Sequence, residues 1–366
     1  MVPTKEKVVE ILKKINHPGS GKDIVTLSMV KGLEVEEKNI KFSLDTGGKR
    51  DPFVKAVRIA CEKALRSVFG EGPGLEIDVV MDAPRQKTPP PVLAGVKNVV
   101  AVASGKGGVG KSTVAVNLAI ALAQKGYKVG LLDADIFGPS VPKMLGAGDV
   151  RPGVKKEGDR SVIIPEEKYG VKYLSVGLFV PADNALIWRG PMATGALKQL
   201  IGDADWGELD YMIFDLPPGT SDIHLTLVQE LPVTGALIVS TPQDVALADV
   251  TKGVAMFRSE DIAVPVLGLV ENMAWFTPAE LPGNRYYIFG RDGCKKLAEK
   301  LDLPVLAQIP LVQGISEGGD RGRPVALEGD ETSTAFSLLA EKVVEAVDLR
   351  NRTMEPTKKV EIKRKK

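Results

Sequence analysis

Residues 105–112 read GKGGVGKS, a glycine-rich stretch that fits the spacing G-x-x-x-x-G-K-[ST]. Gly105, Gly107, Gly108 and Gly110 allow the backbone to curl, through Val109, so that successive N–H groups point at one anion. The apolar run VVAVAS precedes the loop, and KSTVAVNLAIALAQKG follows as a helix closed by Gly126. The positive end of that helix therefore faces the same point. This placement predicts a nucleotide-phosphate site. Lys111 bridges the β- and γ-phosphates, the Ser112 hydroxyl ligates Mg²⁺, and Thr113 opens the helix beside them. Such a cradle needs one lysine, yet Lys106 supplies a second. Read alone, it is a solvated surface cation; its position bordering the phosphates offers it an anion instead.

Carboxylates complete the pattern. Asp215 ends the apolar run YMIFD and precedes LPPGTSD, the place from which an aspartate holds the shell of a phosphate-bound metal. Asp133 and Asp135 end LLDAD on the same edge of the expected sheet. Ligands of open α/β sheets gather at the carboxyl ends of strands, so both are expected to reach the phosphates. One strand-end aspartate reads as a turn or helix cap. Three converging on one loop read as chemistry.

The elements that must position these groups are short, nearly all-apolar runs: VVAVAS, KVGLLDAD, YMIFDLPP, GALIVSTP, VPVLGLVEN and PVLAQIP. Polar or amphipathic stretches long enough for crossover helices separate them. Strands apolar on both faces, alternating with helices, predict an α/β fold with a doubly wound, mostly parallel sheet over residues 98–350. Ahead of it, residues 1–82 predict a small α/β domain: a helix over 5–15, two strands within 23–46, a helix from about Pro52 to Val68, and a strand LEIDVVMD. Residues 83–97, carrying Pro84, Pro89, Pro90 and Pro91, read as a stiff linker, and 351–366 as a solvated basic tail.

With 48 Lys+Arg against 47 Asp+Glu, no chain-wide field steers the protein to nucleic acid or an acidic surface. No apolar run approaches the ~20 residues that span a bilayer, and the charged N-terminus has no signal-peptide core. Two cysteines, Cys61 and Cys294, far apart in sequence, exclude a disulfide framework and fit a reducing, cytoplasmic setting. Two histidines, His17 and His224, leave little for a histidine-rich metal site.

The stretch GKGGVGKST, with lysine in second position, resembles the deviant Walker A motif of the MinD/ParA/nitrogenase-iron-protein class of P-loop ATPases. The resemblance implies a homodimer in which Lys106 reaches the nucleotide held by the other subunit. It also implies that Asp135 positions or activates the attacking water. Further segments, LLDADIFGPSVPKMLG, WRGPM, STPQDVALAD, GLVENMAWF and IPLVQGISEGGDRGRPV, make residues 90–345 similar to Mrp/ApbC-type iron–sulfur cluster carrier ATPases. The first eighty or so residues look like the small domain often fused ahead of them. That family implies ATP, Mg²⁺ and an iron–sulfur cluster, together with assembly machinery and apo-protein recipients as partners, and no membrane. It places Asn272 against adenine and Pro310 beside the base; Trp188 and Arg189 receive no role. The chain departs from the family in one respect. Where relatives carry a C-x-x-C pair that shares a [4Fe–4S] cluster between two subunits, it reads ENMAWFTPAELPGNRYYIFG, without cysteine. Cys294, just downstream, reads as a buried small residue before it reads as a ligand, and Asp51 stands before Pro52 where relatives often place a cysteine. Two readings follow: an ATP-switched cluster carrier, or an ATP-gated scaffold that holds no cluster. A ParA-like positioning ATPase is a third, more distant one.

Overall fold

The computed structural model describes residues 3–36, 39–46, 51–70, 74–80, 93–136, 138–158, 160–179, 190–219, 224, 231–278 and 280–357. It divides into two compact units, Met1–Pro91 and Val92–Lys366. Most of the proline-rich segment, Trp188 and Arg189, and the last nine residues lie outside the described residues.

In the first unit, α1 (Lys5–Leu12) starts at Thr4, whose hydroxyl accepts from the Lys7 amide. The strands β1 (Val30–Glu36) and β2 (Asn39–Asp45) pair antiparallel, and β3 (Gly74–Val80) adds in parallel to β2. The parallel pair requires a crossover, which is α2 (Val54–Phe69). Residues 23–29, expected to begin a strand, form a turn instead. The Asp23 carboxylate accepts from the Val25 and Thr26 amides there and diverts the chain from extended geometry. Asp51 ends the loop before α2 by accepting from the Phe53 amide at 2.8 Å. Alternate residues of β2, namely Ile40, Phe42 and Leu44, bury against Val57, Cys61 and Leu65 of α2.

The second unit is built on an eight-stranded sheet. Its strands are β4 (Val96–Ala103), β5 (Val129–Asp133), β8 (Glu166–Lys168), β9 (Val171–Ser175), β10 (Leu209–Asp215), β11 (Gly235–Ser240), β12 (Val266–Glu271) and β13 (Val305–Gln308). Their spatial order is β13-β12-β11-β4-β10-β5-β9-β8, and every pair is parallel except β8 with β9. A separate hairpin joins β6 (Val154–Glu157) and β7 (Arg160–Ile163). β9 was not among the expected strands: Lys172 interrupts its apolar run, yet its other residues are buried. Two expected boundaries also shift. β4 begins at Val96 inside the stretch read as linker, and the last helix runs from Glu331 to Thr353, into the stretch read as tail.

β4 lies between β10 and β11, so the chain winds outward in both directions from it, and its carboxyl end opens at the switch point. Its side chains serve two cores. Val100 and Val102 face one shared with α3 (Lys111–Gln124) and the helix Glu331–Thr353; Val99, Ala101 and Ala103 face the other. α3 is tied to a segment two hundred residues away. The Asn117 carboxamide accepts from the Ala326 amide at 2.9 Å, and the Gln124 side chain donates to the Ala326 carbonyl at 3.1 Å. Among the described residues no helix is long and apolar enough to cross a membrane. Phe336 is fully buried in the core shared with α3. Phe336→Ala is therefore expected to lower unfolding free energy by about 3–5 kcal/mol in denaturant titration.

Candidate nucleotide site

The glycine-rich loop leaves the carboxyl end of β4 and enters α3, and close approach explains its glycines. Gly108 and Gly110 adopt φ of 82° and 83°, backbone that side chains rarely tolerate. At Gly105 a Cβ would fall 2.6 Å from the Asp249 carbonyl oxygen and 2.7 Å from the Val250 nitrogen, in the helix Asp244–Arg258. The loop is fastened at three points. The Ser104 hydroxyl donates to the Lys106 carbonyl at 3.0 Å, the Ser104 carbonyl accepts from the Gly219 amide at 2.9 Å, and Asn272 Nδ2 donates to the Val109 carbonyl at 2.9 Å.

Inside the loop, Lys111 is only 6% exposed. Its ammonium donates to Asp215 Oδ1 at 2.5 Å, lies 3.2 Å from Ser112 Oγ, and stands 3.7 Å from Asp135 Oδ2. The strand register brings these groups together: Asp215 at the end of β10 lies across from Val102 of β4 on one side and Asp133 of β5 on the other. Asp215 is fully buried, and its second oxygen has no hydrogen-bond partner among the described residues. Burial pushes its carboxyl upward, and the Lys111 ammonium opposes the shift without cancelling it. A buried carboxylate oxygen without a partner, next to the Ser112 hydroxyl, matches what a hard divalent cation takes as ligands.

The three expected carboxylates divide into two kinds. Asp135 stands beside the Lys111 ammonium. Asp133 is committed to other partners: its Oδ1 accepts from the Asp135 amide at 3.1 Å, and its Oδ2 from Ser175 Oγ at 3.0 Å and the Val141 amide at 3.3 Å. It builds the turn that presents Asp135. Burial first, and the Asp215 charge second, push its carboxyl upward, while the Ser175 hydroxyl and the Asp135 amide pull it back. Ser175 belongs to β9, the strand the sequence reading overlooked, and Ser104 was likewise missed; nothing about a lone serine marks such a role.

Beside Gly110 and Thr113 a cleft of about 460 Å³ opens, walled by Asn272, Met273, Pro310 and Leu311 on one side and by Met144 and Ile315 on the other. Asn272 and Pro310, which the resemblance sets beside a base, both line this cleft, and the Asn272 amide donates to the loop carbonyl. Lys106 is exposed, and among the described residues it forms no ion pair.

Both thiols lie elsewhere. Cys61 is fully buried on α2, and burial pushes it up to about 12. Cys294 is fully buried at the start of the helix Gly293–Leu301, pushed up by burial and by Glu271, which accepts from the Cys294 amide at 2.6 Å. No group of three or more His, Cys, Asp or Glu among the described residues is arranged to hold a metal ion. The chain's own thiols do not fit an iron–sulfur cluster, which takes about four accessible thiolates.

Residues 95–345 match the family described as NUBPL iron-transfer P-loop NTPase, and residues 5–73 match that described as iron–sulfur cluster assembly protein. A protein of Synechocystis named iron–sulfur cluster carrier protein is 41% identical over 92% of this chain and 95% of its own length. One of Haemophilus influenzae with the same name is 44% identical over 92% of this chain and 90% of its own. Among solved structures, a nucleotide-binding protein of Archaeoglobus fulgidus in complex with ADP is 38% identical, with a TM-score of 0.55 over 63% of this chain and 88% of that one.

Two outcomes are expected. In the native protein neither cysteine reacts with a disulfide-exchange reagent at neutral pH, and both react once denaturant is added. Gly105→Ala forces the loop off the Asp249–Val250 backbone and abolishes nucleotide binding in calorimetry, with the fold retained by circular dichroism.

Proposed function

The chain belongs to the iron-transfer P-loop NTPase family, and from that premise we propose that it binds and hydrolyses Mg·ATP as a dimer switch in iron–sulfur cluster delivery. The observation that carries the reading is the buried Lys111–Asp215 pair at the mouth of the glycine loop, with Asp135 beside it. Glycine-loop amides and the N-terminus of α3 receive the phosphates, and the adjoining cleft receives the base between Pro310 and the Met144 side. A phosphate oxygen competes with Asp215 for the Lys111 ammonium. The Asp215 carboxylate and the Ser112 hydroxyl would hold Mg²⁺, which would supply positive charge to offset that of the triphosphate. Asp135, held by Asp133, orients the attacking water and takes its proton. The water oxygen bonds to the γ-phosphorus as the bond to the bridging oxygen breaks, leaving ADP and phosphate.

Lys106 supplies the charge that this pocket lacks from outside. Its backbone is pinned by Ser104, while its side chain is exposed, an arrangement suited to the pocket of a second copy rather than its own. Two reciprocal contacts of this kind close a two-fold dimer. ATP favours the closed pair and hydrolysis releases it, through differential affinity for the two states.

The buried thiols favour a second reading within the same switch: the chain gates delivery and leaves the cluster on the thiolates of its assembly partners. Anaerobic reconstitution separates the two. Iron and acid-labile sulfide retained by the wild type and lost in Cys294→Ala support a carrier; their absence from the wild type supports the scaffold.

Lys106→Ala is expected to keep ATP affinity within about twofold, lose the ATP-dependent dimer in solution scattering, and reduce turnover by at least ~10²-fold. Lys111→Ala loses ATP binding itself. Unchanged turnover and mass in Lys106→Ala would overturn the dimer switch.

A further inference from the structure

Between β12 and the helix Gly293–Leu301 the chain makes an excursion that the proposed reaction does not use. Phe276 and Tyr286 pair antiparallel across it, yet Tyr286 is 46% exposed and Ile288 60%. Leu281 is exposed as well. Two arginines are held against its rings, Arg285 over Trp275 at 4.2 Å and Arg291 over Tyr287 at 4.9 Å. The stacking orders the guanidinium groups and leaves them outward-facing, where a carboxylate can use their remaining donors.

Behind Ile288 lies a cleft of about 470 Å³ whose lining includes Leu247, Phe289, Arg291, Lys296 and Lys300. Asp244 is the one acid among its lining residues. Lys296 and Lys300 sit four residues apart on one helix and form no ion pair among the described residues; Arg291 has Asp292 at 3.5 Å. With Arg291 paired to Asp292, Lys296 and Lys300 stand against Asp244, an excess of positive charge beside exposed apolar side chains that gives this face a reason to be covered.

We infer that the 275–291 excursion and the basic cleft behind it form a docking surface for a partner protein, engaged through an acidic segment bearing apolar side chains. Charge complementarity selects the occupant. Carboxylates of the segment meet Arg291, Lys296 and Lys300, while its apolar side chains cover Tyr286 and Ile288. The surface shares a wall with the nucleotide cleft: the Leu311 amide donates to the Trp275 carbonyl at 2.7 Å, Phe276 bridges to Leu311, and Leu311 lines that cleft. The inference rests on the surface itself and stands or falls apart from ATP hydrolysis.

The test is fluorescence anisotropy with the full chain and three labelled probes of equal length: a peptide alternating Glu with Leu, the same peptide with Lys for Glu, and poly-glutamate. The Glu–Leu peptide is expected to bind saturably and most tightly, with affinity falling as salt rises. The double variant Lys296→Glu, Lys300→Glu and the single variant Ile288→Asp each weaken it by about tenfold or more. An unchanged circular dichroism spectrum and melting temperature show that the variants are folded. The inference is overturned if the Glu–Leu peptide does not bind, if the Lys peptide binds equally, if poly-glutamate binds as tightly, or if neither variant matters. It is overturned too if Ile288→Asp dissociates a homodimer in sedimentation, since the face then belongs to a second copy.

Discussion

A buried ammonium between one buried and one half-buried carboxylate governs this site. Lys111 is almost fully enclosed and is tolerable there because Asp215 and Asp135 lie within ion-pair distance of it. Asp215 in turn is tolerable only because Lys111 is present, and it still leaves one oxygen without a partner among the described residues. Neither charge is at rest. Each has bonding capacity that the protein does not fill, and each is of the sign a magnesium-bound triphosphate would complete. The rest of the second unit holds these groups in place. Parallel strands bring three aspartates to one edge, α3 fixes the lysine, and Ser175 with the Asp133 carboxylate sets the turn that aims Asp135.

Much of this was legible in the sequence because the signals are local. The glycine loop, its flanking strand and helix, and the aspartates that end apolar runs are all read within a few residues. What escaped depends on distance. β9 carries a lysine in an otherwise apolar run, and only the sheet shows that its neighbours are buried. Asp133 looked like Asp135 from sequence, since both follow the same run. Three hydrogen bonds, one of them from a residue forty-two positions on, turn it into a support rather than a reactant. Asn272 lines the cleft beside the loop, and its donor goes to Val109, a partner no spacing rule predicts. The early strand start at Val96 and the late helix end at Thr353 are boundary effects, where a proline-rich or basic composition concealed continuing backbone structure.

The thiols carry a different lesson. Membership of a cluster-carrier family is plain, yet both cysteines are filled into apolar cores, where they serve as small hydrophobes. Family and ligand chemistry are separable: the glycine loop and its aspartates are present, while both thiols are buried away from solvent.

The bonds from Asn117 and Gln124 to Ala326 bear on the chain's birth. The helix that carries the phosphate loop is anchored by a segment made some two hundred residues after it, and β4 is flanked by strands translated more than a hundred residues after it. On the ribosome, therefore, the loop emerges long before its walls do. A nascent chain that has made the loop alone lacks the packing that fixes its shape, and that packing closes only once the core helix Glu331–Thr353 has been released.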